Sequence, residues 1–139
     1  MTAWLRLCRL FVSSGLMNDK DLERKIKEEM DKEVEERGYA APADLLMALG
    51  YLDKGGYREW KEGRVPFLEK VLRIGPQKVL RLLAVMSAHA KKEGYKPSRT
   101  VYTKNSSPAV VLRFSRSGNE VIEGQFSTHY VDKFWGMRD

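Results

Sequence analysis

The chain has 139 residues, 42% of them apolar and 32% charged, and carries a net charge of +6. That is the size of one domain with enough apolar residues for a core, and no stretch approaches the roughly eighteen uninterrupted apolar residues of a membrane span. A single cysteine, Cys8, excludes an internal disulfide or multi-cysteine zinc site and fits a reducing cytoplasm; with only two histidines, His89 and His129, no metal centre and no cofactor are expected.

In chain order, residues 1–17 read as an extension or short docking helix. Trp4, Leu5, Leu7, Leu10, Phe11 and Val12 are apolar, Arg6 and Arg9 interrupt them, and there is no acid. The main domain is expected over 18–139. Asn18 is a suitable N-cap, with Asp19 and Asp21 in the positive first turn. Leu22, Ile26, Met30 and Val34 then recur every fourth residue, one narrow apolar stripe on a charged helix that stops at Gly38. Pro42 opens a second helix with Leu45, Leu46, Leu49 and Leu52 facing inward. Asp53-Lys54-Gly55-Gly56 is a turn, and a short helix follows to Gly63. Phe67, Leu68, Val71, Leu72 and Ile74 supply core, and Gly75-Pro76 breaks the chain again. The longest apolar helix then runs from Pro76 to Glu93, capped by Gly94, as the spine of the core.

Beyond Pro97 the apolar period becomes two. Strands are expected at Arg99–Lys104, Ala109–Ser115 and Glu120–Val131, joined by 105–108 and by a turn at Arg116–Asn119 with Gly118 at positive φ. Val110, Leu112 and Phe114, with Ile122, Phe126 and Tyr130, would form the buried face. Arg113, Ser115, Glu123, Gln125, Ser127 and His129 would form the polar one. The expected fold class is α+β: N-terminal helices followed by a three-stranded antiparallel β-meander packed on the long central helix.

Two segments carry a resemblance. Trp60-Lys61-Glu62-Gly63-Arg64-Val65-Pro66-Phe67-Leu68-Glu69 and Leu112-Arg113-Phe114-Ser115-Arg116-Ser117-Gly118, the latter followed by Ser127-Thr128-His129, are similar to a group of small bacterial or phage proteins. That group has a Trp-x-x-Gly-Arg-Val-Pro-aromatic-Leu-Glu helix start and a Leu-Arg-Phe-Ser-x-Ser-Gly hairpin. The resemblance covers residues 19–131. It implies a bacterial or phage origin and a single domain, and no particular chemistry.

Charge is uneven. Residues 1–63 carry 11 basic and 13 acidic side chains, and residues 64–139 carry 14 basic and 6 acidic, balances of −2 and +8. A basic half favours a polyanionic partner. The leading expectation is a module that binds nucleic acid, RNA or DNA. Lys96, Arg99, Lys104, Arg113 and Arg116 would hold phosphates, Tyr102 (or Tyr95) would stack, and Gln125 and His129 would hydrogen-bond. Other readings are an anion nest of backbone N–H groups at 115–119 and a helix-turn-helix presenting Tyr57, Arg58, Trp60, Lys61 and Arg64. A protein-interaction or regulatory domain with a protein partner or a homodimer is the competing class. A metal-independent ribonuclease built on His129, Arg113, Glu123 and Tyr130 comes third. His89, on the apolar side of its helix, reads as a core or edge histidine.

Overall fold

The computed structural model describes residues 19–104 and 109–136. The extension, its Asn18 boundary and the 105–108 loop lie outside the described residues. The fold is α+β, with five α-helices and a three-stranded antiparallel sheet among the described residues. None of those helices is long and apolar enough to cross a membrane.

Helix α1 spans Asp19–Arg37 and buries the four-residue stripe Leu22, Ile26, Met30 and Val34. Gly38 ends it at φ +90°, which a side chain would resist. Strand β1 follows at once, Tyr39–Ala40. Helix α2, Pro42–Ala48, starts on its proline and buries Leu45 and Leu46. Helix α3, Lys54–Lys61, is capped by Asp53, whose side chain accepts from Gly56 N at 2.5 Å. A single 3-10 turn covers Leu68–Val71. Helix α4, Pro76–Glu93, is the expected spine: Val79, Leu82, Leu83, Met86, His89 and Ala90 are buried, and Gly94 closes it at φ +78°. Leu80, on the same helix, is 44% exposed. Strand β2 is Lys96–Arg99, helix α5 is Glu120–Phe126 and strand β3 is Thr128–Val131.

The sheet order is β1-β3-β2. Tyr39 pairs with Val131 and Ala40 with Tyr130; Lys96, Pro97, Ser98 and Arg99 pair with Val131, Tyr130, His129 and Thr128. The sheet lies against the central helix, where buried Tyr130 hydrogen-bonds Ser87 of α4. Three antiparallel strands were expected, but not from these segments. Only β2 and β3 touch the expected strands, and β1 comes from the helix-rich half. Segment 109–115 is extended yet pairs at one bridge alone, Thr103 with Val111.

Glu120–Phe126 is helical because Asn119 caps it, accepting from Val121 N at 2.9 Å and Ile122 N at 3.2 Å, with Glu120 and Glu123 in the first turn. Ile122 and Phe126 are four residues apart, a spacing that satisfies a helix face as well as a strand face. Phe126 is fully buried and stacks on Phe114 at 5.1 Å. Trp60, Tyr102 and Phe114 close the same aromatic cluster, with ring centroids 5.0–5.6 Å apart.

Candidate nucleic-acid interface

The antiparallel register decides which side chains share the sheet's outer face. Tyr130 is buried and shares its face with its partner Pro97, which is exposed on the edge strand; His129, Ser98, Lys96, Val131 and Tyr39 share the opposite face. His129 shares that face with Lys96, Ser98 and Tyr39 rather than with Glu123 and Gln125, and is half-buried there. Its ring stacks on Tyr39 at 5.1 Å and 6°, and Nε2 meets the Tyr102 hydroxyl at 2.8 Å. Arg37 covers the other side of Tyr39, 4.2 Å from its centroid, and is tied to Glu33 at 3.0 Å and Asp44 at 2.7 Å. Burial lowers the His129 pKa, overcoming the pull of Asp44 in the other direction. His129 is therefore a neutral hydrogen-bonding group at pH 7, not a cation.

Tyr102 does not offer a stacking face. Its ring is packed by Trp60, Phe114 and His129, Lys61 sits 5.8 Å from its centroid, and burial raises its pKa. Tyr95 is committed too, donating to Asp31 at 2.7 Å. The exposed aromatics are Phe134 and Trp135, 58% and 47% exposed, in the turn just beyond β3. Sequence reading passed over them because they lie outside any periodic element. Their position between Lys133 and the chain's end was the one available signal.

The remaining expected residues are dispersed. Arg99 leaves the edge strand to lie over Gly124, where a notional Cβ would meet its Nη1 at 3.0 Å, near the carbonyl end of α5. The Lys104 side chain runs across Gly63. Gln125 is half-buried on α5. Arg113 is a structural residue: Nε donates to Ser115 O at 2.8 Å, Nη2 donates to Arg116 O, and its guanidinium lies 5.7 Å from the Phe67 centroid. Arg116 is exposed beside Glu69, whose Oε1 accepts from its backbone N at 2.8 Å.

Three other readings are corrected by the same bonds. The turn at 115–119 holds no open nest. Glu123 accepts from Ser115 N and Oγ, both at 2.6 Å; Glu69 takes Arg116 N, Ser115 Oγ takes Gly118 N and Ser117 Oγ takes Asn119 N. The protein's own oxygens occupy the donors that would cradle an anion. The ribonuclease quartet does not assemble as a strand face: Glu123 sits on α5 and anchors the backbone of Phe114 and Ser115, Arg113 braces a turn, and Tyr130 is core. In the helix-turn-helix reading, Trp60 is fully buried with Nε1 donating to Arg113 O at 2.7 Å, Lys61 donates to Thr103 O at 2.8 Å, and Arg64 pairs with Glu59 and Glu62. A helix so engaged has little left to present to a groove.

The two motif segments lock together. Leu68 N and Glu69 N donate to Arg113 O and Phe114 O, alongside the Trp60 and Glu69 bonds just described. The motif residues therefore build a joint between α3, the 3-10 turn and the 112–118 segment.

Exposed cations that form no ion pair among the described residues lie on several elements, Lys20, Lys32, Lys54, Arg58, Lys70 and Arg116 among them, and one group lies around β2. On α1, Arg24 is paired with Asp21 and Glu28, Lys27 with Glu23, and Arg37 with Asp44 of α2, its Nη2 also donating to Glu33. Lys91, Lys92, Lys96, Arg99 and Lys133 form no ion pair among the described residues. All five are exposed, and they follow the C-terminal end of α4, edge strand β2 and the end of β3. No family model, curated protein or solved structure matches the chain.

Proposed function

We propose that this protein is a cytoplasmic nucleic-acid-binding module, and that it engages single strands along edge strand β2. The observation that carries this reading is the grouping of five exposed cations, Lys91, Lys92, Lys96, Arg99 and Lys133, which form no ion pair among the described residues, on the end of α4, β2 and the end of β3. Desolvating a paired cation forfeits its partner, whereas an unpaired one gains a phosphate and releases counterions. Phe134, exposed beside Lys133, supplies the stacking surface that Tyr102 does not. His129, Ser98 and Lys96 on the outer sheet face add hydrogen-bond donors and acceptors next to the same strand.

The test is fluorescence anisotropy with labelled single-stranded RNA and DNA at low salt. Lys92→Gln/Lys96→Gln/Lys133→Gln, which removes three exposed charges without touching the core, is expected to weaken binding at least tenfold. Phe134→Ala is expected to cost about 1–3 kcal/mol of binding for one stacked base. Arg116→Gln, on the 112–118 turn, is expected to have little effect. Equal losses from Arg116→Gln and the triple variant would contradict the assignment to β2.

A further inference from the structure

A second cluster lies where α1 meets the last turn of α4. His89 and Glu93 are four residues apart on α4 and so share one helix face. Asp31 reaches the same point from α1. His89 is only 7% exposed, with Nε2 turned toward both carboxylates: 2.8 Å from Asp31 Oδ1 and 4.0 Å from Glu93 Oε1. One ligand atom from each residue falls within 4.8 Å of the others. The Tyr95 hydroxyl donates to the same Asp31 Oδ1 at 2.7 Å and orients the carboxylate.

The surroundings are unusual for a chain of net charge +6. Asp31 and Glu93 open onto a cleft of about 700 Å³ that Glu35 and Asp132 also line, with Tyr95 and Trp135 as walls. No lysine or arginine among the described residues lines it, whereas His89 lines a separate groove with Glu23, Lys27, Arg81 and Lys92. Four carboxylates facing one concavity concentrate negative potential there, and the nearby carboxylates of Asp31, Glu93 and Asp132 help raise the Tyr95 pKa, after burial and the Asp31 hydrogen bond.

We propose that Asp31, His89 and Glu93 bind a divalent transition-metal ion of the zinc class, with the acid-lined cleft as its entry path. One imidazole and two carboxylates suit Zn²⁺ or Mn²⁺ better than Mg²⁺, which favours an all-oxygen shell. A tetrahedral ion about 2.0–2.2 Å from each donor sets neighbouring donors roughly 3.4 Å apart. Asp31 must open by about half an ångström and Glu93 must close by a similar amount, both within reach of side-chain rotation on exposed carboxylates. Water would take the fourth position. His89 Nδ1 is buried without a partner. Metal-bound imidazoles usually gain from a bond at that nitrogen, so the expected affinity is micromolar rather than nanomolar.

The test is calorimetric titration of ZnCl₂ into full-length protein carrying Cys8→Ser, which removes the competing thiol. The same protein is titrated with MgCl₂ and with spermidine, and Co²⁺ substitution is followed by visible absorption. One Zn²⁺ per chain is expected, with a tetrahedral Co²⁺ spectrum and at least tenfold weaker uptake in Glu93→Gln and in His89→Gln. Glu93 is exposed, so its variant tests the site even where His89→Gln loosens the core; circular dichroism reports that. Tyr95→Phe is expected to lose about tenfold through Asp31. Folded protein that takes up no Zn²⁺, Zn²⁺ uptake unchanged in Glu93→Gln, or spermidine and Mg²⁺ binding as tightly as Zn²⁺ would each overturn the proposal. The last result would mean a diffusely negative cleft with no ligand set.

Discussion

Glu123 shows how one side chain can look catalytic in the sequence and be structural in the fold. On an assumed strand it shared a face with His129 and Arg113. In the structure its carboxylate accepts from Phe114 N, Ser115 N and Ser115 Oγ, and so holds the 112–118 segment against α5. Glu123→Ala leaves those donors without the acceptor and is expected to cost about 2–3 kcal/mol, read from urea unfolding midpoints. Glu33 gives a pH-dependent case. It is 7% exposed, and burial outweighs the Arg37 charge to push its pKa up to about 8. The ordinary value of 4.5 holds in the unfolded chain, so between these two the native state holds a proton that the unfolded state has released. This group's contribution to stability is present below about pH 4.5 and is lost as pH rises toward 8. Glu33→Gln removes the titration, and thermal melts are expected to show a stabilisation that appears at pH 8 and is absent at pH 5. His129 has the opposite sense. Its lowered pKa means the native state resists protonation, so its contribution is lost as pH falls through the unfolded-state value.

At the scale of elements, the helices were legible because each has a period and punctuation. Leu22, Ile26, Met30 and Val34 repeat every fourth residue up to Gly38, and Pro76 and Gly94 bracket α4. The strands were not. Tyr39–Ala40 is two residues long, too short for any alternation, and becomes a strand only because β3 pairs with it. Ile122, Phe126 and Tyr130 are spaced by four, which a period-two reading accepts as readily as a helical one. The Asn119 cap decides the matter for the first two. Sequence reading therefore found the long helix. It missed the Tyr102–His129 bond, because that pairing depends on β3 returning between β1 and β2. Removing the cap with Asn119→Ala is expected to cost about 1 kcal/mol. Gly118→Ala is expected to cost as much or more. Its φ is +69°, and a Cβ would come within 3.3 Å of Arg113 Nε. Chemical denaturation of the two variants checks both figures, and a Gly118→Ala protein as stable as the parent would mean the 115–119 turn is not held as described.

At the scale of the whole molecule, α1 pairs Arg24 and Lys27 with its own acids, while the basic C-terminal half places five exposed cations without ion pairs among the described residues around β2. The most direct measurement is the salt dependence of single-stranded RNA affinity for the parent protein and for Lys92→Gln/Lys96→Gln/Lys133→Gln. Each phosphate contact on a single strand contributes about 0.7 to the slope of log affinity against log salt. The account predicts a steep negative slope for the parent, shallower by about 2 in the triple variant. No binding at low salt, or the same slope in both proteins, would contradict it.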